Sequence, residues 1–228
     1  MEYEIRGGAF PMVVCKLQKG ETMKDESGAM AYMTSDVKMD TNTGGGLLKG
    51  LGRALAGDSI FLNFFTAEED GAEIGFASYC PGKIIPIRLD GTNSIIGQKS
   101  SFLAAEEGVE IDMHFRKKLG AGIFGGEGFI LQKFSGNGIA FLEIDGEVIE
   151  YDLQPGEKLF VDQGHIAAMD ESVDFDIERV KGAKNLLFGG EGLFLATLRG
   201  PGKVWIQTMP IAKLAEAIIP FIPTNNEH

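Results

Sequence analysis

Single alternation of apolar and polar residues marks several stretches of this chain as strands with one buried face. In SVDFDIERV (172–180), Val173, Phe175 and Ile177 alternate with Asp174, Asp176 and Glu178, so a strand is predicted there. FLEIDGEVIEYDL (141–153) carries apolar residues on both sides of Asp145-Gly146. That dipeptide suits a type I′ turn and predicts a hairpin. Lys19-Gly20, Pro81-Gly82 and Pro155-Gly156 predict further turns. Only the end of the chain keeps a helical period. Ile211, Leu214, Ala215 and Ile218 recur at i, i+3, i+4 and i+7 after Pro210, and Pro220 stops the run. A helix is therefore predicted over 210–219, its stripe docking against the sheets or another subunit.

The strand segments repeat. Residues 12–40 align without a gap on 148–176, with Leu17, Gln18, Gly20, Glu21, Gly28, Ala31, Met33, Val37 and Asp40 identical to their counterparts. A middle copy runs from CPGKIIPIRL to SFLAAEEGVEID, lengthened near PIRLDGTNSI, where a loop tolerates insertion. A second motif alternates with the first: GDSIFLNFF (57–65), GEGFILQKF (126–134) and GEGLFLATL (190–198). Two motifs recurring in one order predict an all-β chain of three tandem units, about 1–66, 67–134 and 135–208, that can close around a pseudo-threefold axis. With no linker-like stretch between them, the units are expected to form one fused body with a short C-terminal helix.

Composition narrows the function classes. The 32 glycines suit many turns, and the net charge of −12 argues against a nucleic-acid partner. No apolar run approaches the roughly 20 residues that span a bilayer. The start MEYEIRGG lacks a signal peptide's basic and apolar regions, and Cys15 and Cys80 form no redox or metal spacing. These features predict a cytoplasmic protein with two inert thiols in strand segments.

The long motifs GGGLLKGLGRALAGDSIFLNFFTA (44–67), IFGGEGFILQKFSGNG (123–138), LFVDQGHIAAMD (159–170) and FGGEGLFLATLRGPGKVWIQT (188–208) resemble bacterial members of the altered-inheritance-of-mitochondria family, number twenty-four. That family was formerly a domain of unknown function. The resemblance implies a triplicated β fold similar to the trp RNA-binding attenuation protein, with three β-sandwich-like units around a pseudo-threefold axis. It implies no activity, and RNA binding does not follow from the fold.

Candidate chemistry is sparse. No Ser or Cys stands in a nucleophile context with an assignable His and acid, and the glycine-rich stretches match no phosphate loop. No catalytic residue, cofactor or metal is therefore assigned. His165, where the other units carry Ala29 and Ser101, is a weak ligand candidate against the plainer reading of a hydrogen-bonded turn residue. Asp58, Glu127 and Glu191 share one position in the three units. They can converge on a cation or accept backbone N–H groups at a strand entry. The glycine-rich segments before these strands carry Leu47, Leu48, Leu51, Phe124, Leu187 and Phe188. Symmetry would gather these apolar tips at one end, as a central plug or as a surface for a partner protein, a membrane or a second copy. Trp205 is expected to anchor the core. The resulting expectation is a non-enzymatic interaction module with possible self-association; the alternative is a small-molecule or metal-binding protein with its site between β units.

Overall fold

The computed structural model describes residues 1–26, 28–42, 62–117, 128–179 and 194–222. The chain is built of strands with one terminal helix. Its first third forms β1 (Glu2–Arg6), β2 (Met12–Leu17), β3 (Thr22–Glu26), β4 (Met30–Met33), β5 (Val37–Asn42) and β6 (Leu62–Ala67). The middle forms β7 (Ala72–Ala77), β8 (Gly82–Asp90), β9 (Ile95–Gln98), β10 (Phe102–Glu106), β11 (Val109–Lys117) and β12 (Phe129–Asp145). The last third forms β13 (Val148–Leu153), β14 (Lys158–Asp162), β15 (Ile166–Asp170), β16 (Asp174–Arg179), β17 (Phe194–Arg199) and β18 (Gly202–Gln207), followed by α1 (Ile211–Ile218).

Among the described residues, strands pair into sheets of four (β1-β2-β7-β4), eleven and three (β14-β17-β16). The large sheet runs β13-β18-β15-β9-β12-β10-β3-β6-β5, with β8 and β11 also on β12. The 17-residue β12 joins its halves. Its first part pairs with β9 and β11, and its second part with β8 and β10. Gly136 (φ 86°) and Gly138 (φ 134°) sit at the changeover, in a backbone region that side-chain-bearing residues avoid.

Each aligned segment breaks its ladder at one offset. Register shifts fall between Met30 and Tyr32 in β4, Phe102 and Ala104 in β10, and Ile166 and Ala168 in β15. A bulge of this kind bends a strand and increases its twist. Apolar side chains collect into three clusters. One contains Val13, Met23, Phe65, Phe76 and Phe141; a second contains Phe129, Leu153, Ile166, Ile177 and Leu198. The third contains Phe102, Phe134, Leu142 and Trp205. Trp205 is buried as expected, and the strand predicted over 172–180 forms as β16. Full burial of one such side chain contributes about 1.5–3 kcal/mol, so these clusters dominate the stability of the fold.

Two local expectations need correction. Asp145-Gly146 is a turn, with Gly146 at φ 79°, yet the flanking strands do not pair with each other. β13 pairs with β18, setting Val148 opposite Gln207. A turn signal reports that the chain changes direction, whereas pairing is chosen by which strand offers a matching face. Likewise Gly82 is not a turn glycine: it opens β8, where a Cβ would lie 1.9 Å from the Ile144 carbonyl oxygen. Finally, the helix forms at Ile211–Ile218 with Pro210 as its N-cap, then tightens into a 3-10 turn over Ile219–Phe221. None of its residues is fully buried. The stripe is not packed into the core.

Candidate functional site

The helix instead roofs a cleft among strand ends. Two contiguous cavities of about 430 and 420 Å³ share Glu26, Lys99, Ser100, Asp145 and Ile211. In the first, Ile130, Pro210, Ile211 and Ala215 make an apolar wall, and Gln98 and Gln207 continue the polar one. The second adds Tyr79, Cys80, Phe102 and Glu143. The polar groups come from segments far apart in the chain, each projected inward by a strand end: Glu26 closes β3, Gln98 closes β9, Asp145 closes β12 and Gln207 closes β18.

Hydrogen bonds join these ends. The Tyr79 N–H and the Ser78 hydroxyl donate to Glu143 Oε2 at 3.0 and 2.8 Å. From the same strand end, the Asp145 N–H donates to Gln207 Oε1 at 3.1 Å. The Gln207 amide group then donates to the Gly164 carbonyl at 2.8 Å and reaches Gln98 Oε1 at 3.5 Å. Asp145 also holds the roof: the Ile211 N–H donates to its Oδ2 at 2.7 Å. A carboxylate at a helix start satisfies an otherwise orphaned donor and meets the positive end of the helix dipole. Lys213, two residues on, pairs with Asp162 at 3.4 Å.

Burial raises the pKa of both Glu143 and Asp145, against the lowering effect of the hydrogen bonds they accept. Asp25, beside Glu26, is pushed up to about 6 by burial, although Asn63 donates to it at 3.0 Å and Met30 at 3.2 Å. Cys80 is not the core thiol expected. It is half-buried at the cavity wall, where burial, then Asp145 and Glu143, raise its pKa and keep it a thiol rather than a nucleophilic thiolate. Cys15 is a core residue whose thiol burial pushes up to about 12.

His165 closes a 3-10 turn over Gln163–His165, and its Nδ1–H donates to the Gln207 carbonyl at 2.8 Å. That contact stiffens the segment carrying Gln207. Among the described residues, no group of three or more His, Cys, Asp or Glu stands close enough to hold a metal ion. Asp58, Glu127 and Glu191 lie outside the described residues, as do Leu47, Leu48, Leu51, Phe124, Leu187 and Phe188.

The fold and cleft can be set beside known proteins. The profile of the family described as Mitochondrial biogenesis AIM24 matches residues 3–209. The chain belongs to this family. An uncharacterized protein of Streptococcus pyogenes serotype M6 is 28% identical over 229 residues, covering 97% of this chain and 90% of that protein. A crystal structure of a Streptococcus pyogenes protein superposes with a TM-score of 0.79 at 24% identity, covering 97% and 99% of the two chains. At that identity the likeness establishes the fold of this AIM24-family member alone. Among the described residues, no helix is long and apolar enough to cross a membrane.

Proposed function

We propose that this AIM24-family chain is a non-enzymatic binding module that holds a small amphiphilic molecule in the cleft between its β units. The observation that carries this reading is the cavity beneath α1, with Ile130, Ile211 and Ala215 on one side and Glu26, Gln98 and Gln207 on the other. A mostly apolar pocket with a few fixed polar groups is the usual form of a small-molecule site. The three-unit arrangement belongs to the same reading, because the cleft is assembled from ends of β3, β9, β12 and β18; the shared bulge offset and the three core clusters support it. Native mass spectrometry of the full chain, purified without detergent, tests the proposal. One bound organic molecule is expected, lost when Ile130→Trp fills the cavity; repeated recovery of empty protein from several preparations would contradict it.

A second reading keeps the interaction role. Ile218, Ile219, Phe221 and Ile222 are 49, 61, 84 and 55% exposed at the end of the chain's described part. Contiguous apolar exposure of this kind favours a contact surface, including one with a second copy. Light scattering of the full chain and of Phe221→Ser is expected to show self-association in the first and its loss in the second. Monomers at every concentration in both would remove self-association from this reading.

A further inference from the structure

Three strands carry the same bulge: β4, β10 and β15. β10 is paired on both sides, with β12 and β3, and so is β15, with β18 and β9. Among the described residues β4 pairs with β7 alone. The strands just before the bulged ones show the matching gap. β3 pairs with β6 and β10, and β9 pairs with β12 and β15. Among the described residues β14 pairs only with β17. The chain thus makes one kind of contact twice, and leaves a strand of each kind with a side open at the edges of its four- and three-stranded sheets.

Both formed contacts predict the same register for the missing one. Ala105 faces Lys24, and Met169 faces Ile96. Ala105 and Met169 each follow the residue at which their bulge ends, Ala104 and Ala168, as Met33 follows Tyr32. Phe160 is the counterpart of Lys24 in the ungapped alignment of 12–40 on 148–176. It also lies two residues before Asp162, the cap of a 3-10 turn, as Ile96 lies two residues before the cap Gln98. Both routes set Met33 opposite Phe160. Ala105, Lys24, Met169 and Ile96 are all buried, whereas Met33 and Phe160 are 36 and 67% exposed. The edges also lack protection. The far edges of the same two sheets, EYEIR in β1 and DFDIER in β16, are dense in charge, which discourages strand addition. MAYM in β4 carries no charge, and the centre of β14 is Leu159-Phe160-Val161.

Resting on the self-association reading above, we propose that copies of this chain join head to tail, β14 of one adding antiparallel to the open side of β4 in the next. Phe160 then lies opposite Met33, and a four-stranded and a three-stranded sheet merge across the contact. A second copy is the occupant because it brings to each edge the strand that the same contact uses inside the chain. Each copy carries one edge of each kind, so a closed assembly leaves neither open. So few residue pairs cover less than the roughly 1,200 Å² of a standard interface, which is why the contact needs the apolar end at Ile218–Ile222 as well.

Disulfide trapping in the full chain tests the pairing, in a Cys80→Ser background that leaves only the buried Cys15. Met33→Cys and Phe160→Cys are made as separate proteins, one isotope-labelled, and oxidised alone and mixed. The mixture is expected to give about tenfold more linked dimer than either protein alone, since only opposed strands bring the two positions within disulfide reach. Mass spectrometry should place the bond between positions 33 and 160. Phe160→Glu should abolish association in light scattering, and adding Met33→Lys to the same chain should restore it through a cross-strand charge pair. In a variant carrying both cysteines, a bond confined to monomers overturns the second copy as occupant. Self-association without the mixed disulfide overturns the strand pairing and leaves the self-association reading standing. Monomers at every concentration overturn both.

Discussion

Two strand-end junctions beside the cleft solve one problem with different chemistry. In the first, the buried carboxylate of Glu143 accepts from Tyr79 and Ser78. In the second, the amide of Gln207 accepts from Asp145 and donates to the Gly164 carbonyl, and towards Gln98. Each ties a strand end to a segment distant in sequence through a backbone N–H. The neutral junction satisfies both ends of its side chain and carries no ionisation cost. The acidic junction accepts strong hydrogen bonds but desolvates a charge, which is why the Glu143 pKa is raised. Cohesion is thus independent of carboxyl titration at one junction and pH-dependent at the other, and Gln207 and Glu143 both line the cleft.

Breaking the neutral junction should have the largest effect. Gln207→Ala removes all three contacts, strands the Asp145 N–H and opens a void, and is expected to cost about 3 kcal/mol in chemical denaturation. Glu143→Ala should cost less, about 2 kcal/mol, because losing its hydrogen bonds is partly offset by removing a buried charge. A larger loss for Glu143 than for Gln207 would reverse the ranking.

Replacing the charge alone sharpens the contrast. Glu143→Gln keeps an acceptor for Tyr79 and should change stability by less than about 1 kcal/mol at pH 7. Its signature lies in the pH profile. A carboxyl whose pKa is raised on folding binds its proton more tightly in the native state, so stability is full below the unfolded value and declines as pH rises through the folded one. Asp25 acts in the same sense between 3.8 and about 6. Urea melts of wild type from pH 4 to 7 should therefore show declining stability, and the profile of the Asp25→Asn, Glu143→Gln double variant should be flatter. An identical slope in both proteins would remove these carboxyls from the account. The smallest effect is reserved for the roof: Lys213→Ala deletes a partly exposed pair with Asp162 and should cost below about 1 kcal/mol while loosening α1 in amide exchange.

The strand content, the turns at Gly20 and Gly156, both with positive φ, and the terminal helix were legible from local spacing. Local signals stop where partners are chosen at a distance. Nothing around Asp145-Gly146 announces that β13 pairs with β18, or that Asp145 caps a helix 66 residues later. Nothing local sets Glu143 and Asp145 apart, yet tertiary packing buries the first and half-buries the second. The lining of the cleft was not legible for a related reason: Gln98 and Gln207 are isolated glutamines in separate strands with no motif spacing. The stripe on α1 was read correctly as apolar, but its period says nothing about whether it faces a core or a cavity.

Residue-resolved NMR shifts on adding octanol, a small amphiphile, to the full, isotope-labelled chain test the central claim most directly. The account predicts that backbone amides of Gln98, Lys99, Ser100, Gly128, Ile211 and Ala215, which line the cleft, move together and saturate at one equivalent. Perturbations confined to other surfaces, or none up to the solubility limit of octanol, would contradict it.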